Sequence, residues 1–118
     1  MTVRILTTII LFFYTLSVAA NIQLDDHIFS PDKGVICDQK AGFCVDSYGI
    51  SMAFTKEFLG QAAQDKMMNM INDVGTKNFD TSRYSLSNKV YCDSAQKACF
   101  TDRYQEQRQD TYSQILFN

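Results

Sequence analysis

The chain has 118 residues, 46% of them hydrophobic and 20% charged, with a formal net charge of −2. Its length is that of one domain, and the scattered, mildly acidic charge offers no Lys/Arg stripe to track a phosphate backbone or hold an anionic membrane surface. Nucleic acid is therefore not an expected partner.

Met1-Thr2-Val3-Arg4 is a short positive start, followed by the apolar run Ile5 to Leu16 and then by small residues. This pattern predicts a secretory signal peptide over residues 1–20, with Val18-Ala19-Ala20 placing cleavage before Asn21. The run is shorter than the ~20 residues of a transmembrane span, and no cysteine follows the cut to take a lipid. No stable membrane anchor is expected after cleavage, and the expected location is periplasmic. Without Arg4, 10 basic residues face 13 acidic ones.

Residues 21–33 read as a polar leader holding the only histidine, His27, and the only proline, Pro31. Ser30-Pro31-Asp32-Lys33-Gly34 then reads as a turn into the main domain, predicted over 34–104. Val35-Ile36-Cys37-Asp38 and Cys44-Val45-Asp46, with six residues between Cys37 and Cys44, form one copy of a unit. It returns as Val90-Tyr91-Cys92-Asp93 and Cys99, with six residues between Cys92 and Cys99 and Asp102 close behind. Each copy predicts a hairpin: an extended arm, a turn and a returning arm.

Between the copies, Phe58, Leu59, Ala62, Ala63, Met67, Met70, Ile71 and Val74 recur at the spacing of one helical face. Thr55 is the expected N-cap, Phe54 and Leu59 a hydrophobic staple, and Gly75 the stop. Phe79 to Leu86 reads as a strand, with a tight turn at Ser87-Asn88 leading into the second copy. Residues 105–118 read as a polar C-terminal tail with a last apolar cluster at Tyr112, Ile115, Leu116 and Phe117. The expected fold is α+β: one amphipathic helix packed on a small antiparallel sheet built from two disulfide-stapled β-hairpins.

The cysteines are the candidate sites. Four of them allow three pairings, and the sequence leaves the choice open. The favoured pairing is Cys37 with Cys44 and Cys92 with Cys99, because a unit that closes on itself accounts for the repeated spacing; the competing one joins the two copies. A four-cysteine zinc site would use closer spacings, and a redox pair would use Cys-x-x-Cys, so both pairs read as structural. Asp38, Asp46, Asp93 and Asp102 recur with the cysteines. They suggest either a calcium or catalytic carboxylate set or, more simply, aspartates bonding their own turn backbone. Calcium loops alternate acidic residues about a central glycine, and neither copy does.

His27 beside Asp25 and Asp26 is a weak metal suggestion against an exposed histidine, and Met67 and Met70 read as core with Met68 exposed. Tyr48, Tyr84, Tyr91, Tyr104 and Tyr112 are numerous enough for a recognition face. No nucleotide, nucleophile-elbow or metalloprotease motif is present, and no catalytic residue, metal or cofactor is expected.

The chain resembles the YcgJ-like family of small exported bacterial proteins, also described as Fels prophage protein-like. The resemblance rests on Gly34-Val35-Ile36-Cys37-Asp38, Gly42-Phe43-Cys44-Val45-Asp46, Gly49-Ile50-Ser51, Phe58-Leu59-Gly60 and Ser87-Asn88-Lys89-Val90-Tyr91-Cys92-Asp93 with Cys99. It implies bacterial export and a compact domain with paired cysteines, with glycine usual where this chain has Lys89. It implies no activity. The expected function is a non-enzymatic binding or inhibitor-type module whose partner is another protein. The alternatives are a small metal-dependent enzyme using the repeated aspartates and an envelope stress or structural factor.

Replacing Cys92 and Cys99 together with serine should lower the unfolding midpoint under oxidising conditions by about 2 to 3 kcal/mol of stability. An unchanged denaturation curve would make the second staple dispensable.

Overall fold

The computed structural model describes residues 21–118. The signal segment expected over 1–20 lies outside them. None of the described helices is long and apolar enough to cross a membrane.

The first sheet is an antiparallel meander of five strands in sequence order: β1 (Ile22–Gln23), β2 (Ile28–Asp32), β3 (Val35–Asp38), β4 (Phe43–Asp46) and β5 (Gly49–Ser51). Two helices follow, α1 (Met52–Leu59) and α2 (Gln61–Val74). The second sheet has three antiparallel strands, β6 (Arg83–Ser85), β7 (Tyr91–Asp93) and β8 (Ala98–Phe100), and the chain closes with α3 (Asp110–Phe117).

Both disulfides join cysteines within one hairpin, Cys37 with Cys44 and Cys92 with Cys99. In each case the two residues stand directly opposite one another across the strands, with Cα atoms 4.0 and 4.1 Å apart. Six residues between the cysteines therefore leave room for two opposed arms and a four-residue loop.

The architecture is α+β, with two sheets and three helices where one of each was expected. The expected leader over 21–33 instead supplies β1 and β2. Ile28 and Ser30 alternate inward along β2 and are buried, and Ile28 joins the main core. The expected tail over 105–118 likewise contains α3, which buries Tyr112 and Leu116, the inward positions of an i, i+4 pair.

The single helix predicted from Thr55 to Val74 is two. It breaks at Gly60, whose φ of 100° and ψ of 169° are not helical. The cap of α1 is Ser51, whose side chain accepts from the Phe54 N–H, and not Thr55. Only Met67 of α2 is fully buried; Met70 and Val74, expected on the core face, are exposed together with Met68. The break at Gly60 re-aims the second helix, so the apolar stripe read as one continuous face does not lie on one surface.

The duplication extends well beyond the cysteines. In the first unit Ile28 pairs with Asp38, Phe29 with Cys37, Cys37 with Cys44 and Asp38 with Phe43. Adding 55 to each number returns the second unit's pairs: Arg83 with Asp93, Tyr84 with Cys92, Cys92 with Cys99 and Asp93 with Ala98. The bond from Gln39 N–H to the His27 carbonyl recurs as Ser94 N–H to the Ser82 carbonyl, both 2.8 Å. Each unit ends by docking a helix on its staple. The Cys44 N–H donates to Thr55 Oγ1 at 2.9 Å, and Thr55 returns its proton to the Ser51 carbonyl one turn back. The Cys99 N–H donates to Ser113 Oγ at 2.8 Å, and Ser113 bonds the Gln109 carbonyl one turn back. Thr55 and Ser113 each stand four residues after their helix cap, Ser51 and Gln109.

Loop residues with positive φ coincide as well: Gly34 at 76° with Lys89 at 77°, and Gly42 at 84° with Lys97 at 52°. A side chain in this region costs about 1 to 2 kcal/mol, partly offset by the greater freedom glycine loses on folding. Lys97→Gly should therefore stabilise the protein by about 0.5 to 1 kcal/mol, seen as a raised urea midpoint. At Gly49 the reverse holds, since a Cβ there would lie 2.1 Å from the Thr81 carbonyl oxygen. Gly49→Ala should lower the midpoint by more than Lys97→Gly raises it, and an equal or smaller loss would show that the β5–Thr81 approach is loose.

Candidate functional site

The repeated aspartates are turn residues first. Each accepts from the backbone N–H two positions on: Asp38 from Lys40 at 3.0 Å, Asp46 from Tyr48 at 2.8 Å, Asp93 from Ala95 at 2.9 Å and Asp102 from Tyr104 at 3.0 Å. The short carboxylate closes a small ring over the chain reversal, which is why the residue type recurs at these four places.

Asp38 has a second role that its own loop does not require. Fully buried, it also accepts from the Ser87 N–H at 2.6 Å and from the Ser87 hydroxyl at 2.9 Å, 49 residues away. Beside it, Asn88 Nδ2 donates to Asp25 Oδ2 and to the Tyr112 hydroxyl, both at 3.0 Å. The β6–β7 loop of the second unit is thus plugged into the first. The bonds from the Asp26 backbone and from Asn88 hold the Asp25 carboxyl below the usual carboxylate range. Asp93, by contrast, spends its acceptors on its own loop, on the Ala95 and Gln96 N–H groups and on Gln96 Nε2.

His27 borders a small hollow of about 200 Å³ with Asp25, Asp26, Lys40, Ser87 and Asn88. Asp25 there is engaged with Asn88 at the junction of the units. Among the described residues no three His, Cys, Asp or Glu side chains gather closely enough to hold a metal ion.

The tyrosines divide cleanly. Tyr84 and Tyr112 are buried, Tyr91 is half-buried, and Tyr48 and Tyr104 are 87% and 68% exposed. Burial, and then the nearby Asp46 charge, raise the Tyr84 phenol far above its usual range, and its ring meets Phe43 edge-on at 6.1 Å. Tyr84 is therefore a core residue between the sheets. Each exposed tyrosine stands in the turn after a staple, two residues beyond an aspartate that holds its N–H, with Tyr104 one place out of the 55-residue register, which sets Tyr48 against Arg103. Arg103 lies over the Tyr104 ring, 5.1 Å from its centre.

Each exposed tyrosine borders a surface hollow. Tyr48 shares one of about 620 Å³ with Ser82, Ser94, Lys97 and Phe117. Tyr104 shares one of about 420 Å³ with Ser85, Leu86, Lys89, Asp102 and Arg103. The aspartate-tyrosine spacing was available in the sequence, but nothing there separated these two tyrosines from the buried ones. Ser87 reads in the sequence only as a turn residue, and Ser113 is not singled out: nothing local shows that either hydroxyl bonds a distant strand.

The fold and these surfaces define a small α+β protein of two disulfide-stapled units, each followed by a docked helix and each displaying a tyrosine. The chain belongs to the YcgJ family, whose model matches residues 28–117. It is similar to "Uncharacterized protein YcgJ" of Escherichia coli strain K12, with 36% identity over 75 residues, 64% of this chain and 55% of the relative. The chain thus spans about half the length of that relative. No solved structure matches it.

Asp38→Ala should cost about 2 to 4 kcal/mol, because it strands a buried loop N–H as well as opening the turn. Asp93→Ala should cost about 1 kcal/mol, the loss of a local turn alone. Equal losses in urea denaturation would remove Asp38 from the junction.

Proposed function

We propose that the protein is an exported, non-enzymatic binding module that acts through contacts with another protein. The observation that carries this reading is the pair of exposed tyrosines in the turns that follow the two staples, one residue out of the repeat's register. An aromatic ring held out from a hydrogen-bonded turn loses little conformational freedom on contact and offers a large amphipathic surface, which is what interface anchors require. The aspartate bond behind each tyrosine, with the staple just before it, fixes the backbone that presents it. Export is supported by the positive start and apolar run ahead of Asn21 and by two disulfides, which persist in oxidising compartments.

Cross-linked capture from a periplasmic extract tests the reading when wild type is compared with the double variant Tyr48→Ser, Tyr104→Ser. A discrete partner should be recovered by wild type and lost at least tenfold by the variant, at unchanged unfolding midpoint. Equal recovery by both proteins, or none by either, would sink it. Intact mass of the protein from cells should also start at Asn21, and retention of residues 1–20 in the fractionated soluble form would remove the export step.

A further inference from the structure

The two units differ at one edge. In the first, β1 covers the outer side of β2, with Ile22 opposite Ser30 and Gln23 opposite Phe29, and the Leu24 N–H bonds the Ile28 carbonyl at 2.9 Å. The second unit's equivalents of Ile28, Phe29 and Ser30 are Arg83, Tyr84 and Ser85, the whole of β6. There β6 is the last strand of its sheet, and no outer strand pairs with it among the described residues. The segment that would correspond to β1, Lys77-Asn78, instead leaves the end of α2 in a turn.

The side that is open is also the side that can bond. The ladder to β7 is carried at Ser82, which accepts from Ser94, and at Leu86, which donates to Val90, two residues on either side of Tyr84. Alternation then turns the N–H and carbonyl groups of Arg83 and Ser85 away from β7. Both residues are exposed. The β5 strand reaches the Arg83 end of this edge, where the Ile50 N–H bonds the Thr81 carbonyl, Gly49 lies against Thr81 and Ser82, and β5 contacts β6; no hydrogen bond from β5 reaches Arg83 or Ser85.

A hollow opens at the Ser85 end. In the first unit the corresponding hollow is lined by Ser30, Gly34 and the Ile22 side chain of β1 itself. In the second, Ser85 and Lys89 take the places of Ser30 and Gly34, no β1 residue lines it, and Arg103 and Tyr104 complete it. Two cations, Lys89 and Arg103, face one acid, Asp102.

We infer that the outer edge of β6 is a docking site for an extended acidic peptide of a partner protein, which adds as an antiparallel fourth strand. This rests on the binding-module reading and names its partner's chemistry. The first unit supplies the register, an apolar residue opposite Ser85 as Ile22 stands opposite Ser30 and a polar residue opposite Tyr84, though not the burial, since Ser30 is buried and Ser85 exposed. Acidic residues just before the apolar one reach the hollow held by Lys89 and Arg103. Main-chain bonds supply the affinity of such an added strand, and the hollow its selectivity.

The probe is a fluorescein-labelled peptide, Glu-Glu-Ile-Gln-Leu with a C-terminal amide, followed by anisotropy against the mature protein. Ser85→Pro removes the outward N–H and leaves the β7 ladder intact, so it should weaken binding at least tenfold at unchanged unfolding midpoint. The pair Lys89→Glu, Arg103→Glu should do the same and shift preference to the peptide with lysines in place of its glutamates. Absence of binding by wild type at millimolar peptide, or binding indifferent to Ser85→Pro, overturns the assignment. So does a concentration-dependent dimer of wild type that Ser85→Pro abolishes, which would give the edge to a second copy. If tyrosine-dependent capture survives while peptide binding fails, only the edge is lost; if capture fails while peptide binding responds as expected, the tyrosine surface is lost and the edge stands.

Discussion

The buried Asp38 carboxylate is the point on which the two halves of the molecule depend. It stands at the tip of the first stapled hairpin, where its own loop would use two acceptor positions and leave the rest to be satisfied. A carboxylate removed from water needs donors for its remaining lone pairs, and Ser87 provides two of them from the other unit. The energetic demand of one buried charge thus becomes a specific contact between distant parts of the chain. Apolar packing around it is shared as well: Ile28, Ile36, Phe43 and Val45 of the first unit and Tyr84, Leu86, Val90 and the Cys92–Cys99 staple of the second form one core, closed by Tyr112 and Leu116 of α3.

The duplication explains how so short a chain builds that core. Each unit is a meander whose central hairpin is covalently closed and whose following helix is tied to the second cysteine by a buried hydroxyl. Such a tie gives a buried backbone N–H its acceptor: Thr55 does this for Cys44, and Ser113 for Cys99. The helices then take different positions. The Phe54 and Phe58 rings of α1 stack at 5.9 Å and cover the first staple with Phe29 and Leu59 as a separate small core, whereas α3 packs on both β8 and β3 and so bridges the units.

Much of this was legible and some was not, for physical reasons. The staples were readable because disulfide spacing is a covalent signature that does not depend on surroundings. The aspartate turns were readable because their bonds are local. The 55-residue repeat was readable only at its cysteines, since elsewhere it preserves strand register and not identity, and in the first strand not even burial: buried Ile28 is matched by exposed Arg83, Phe43 by Ala98 and Gly42 by Lys97. The helix was over-read because an apolar period survives a one-residue break, and Gly60 cost the stripe nothing in sequence while turning it in space. The tyrosine pair and the Asp38–Ser87 bond are tertiary facts that no window along the chain contains.

A duplicated scaffold also sharpens where function should be sought. Features common to both units, the staples, the turn aspartates and the hydroxyl ties, are what each unit needs to fold. Features present in only one are free of that requirement. The second unit replaces two loop glycines by lysines, at the cost of positive φ for a bulky side chain, and leaves bare the edge that β1 covers in the first. An uncovered edge strand is an aggregation hazard unless it is short or charged, and β6 is both: three residues long, with Arg83 tied to Asp80 at 2.8 Å. The edge is therefore safe for the isolated protein while its outward backbone groups stay available. Lys89 and the Ser85 end of the open edge both border the hollow of Tyr104, whereas Lys97 borders that of Tyr48, so the departures from symmetry reach both surface hollows.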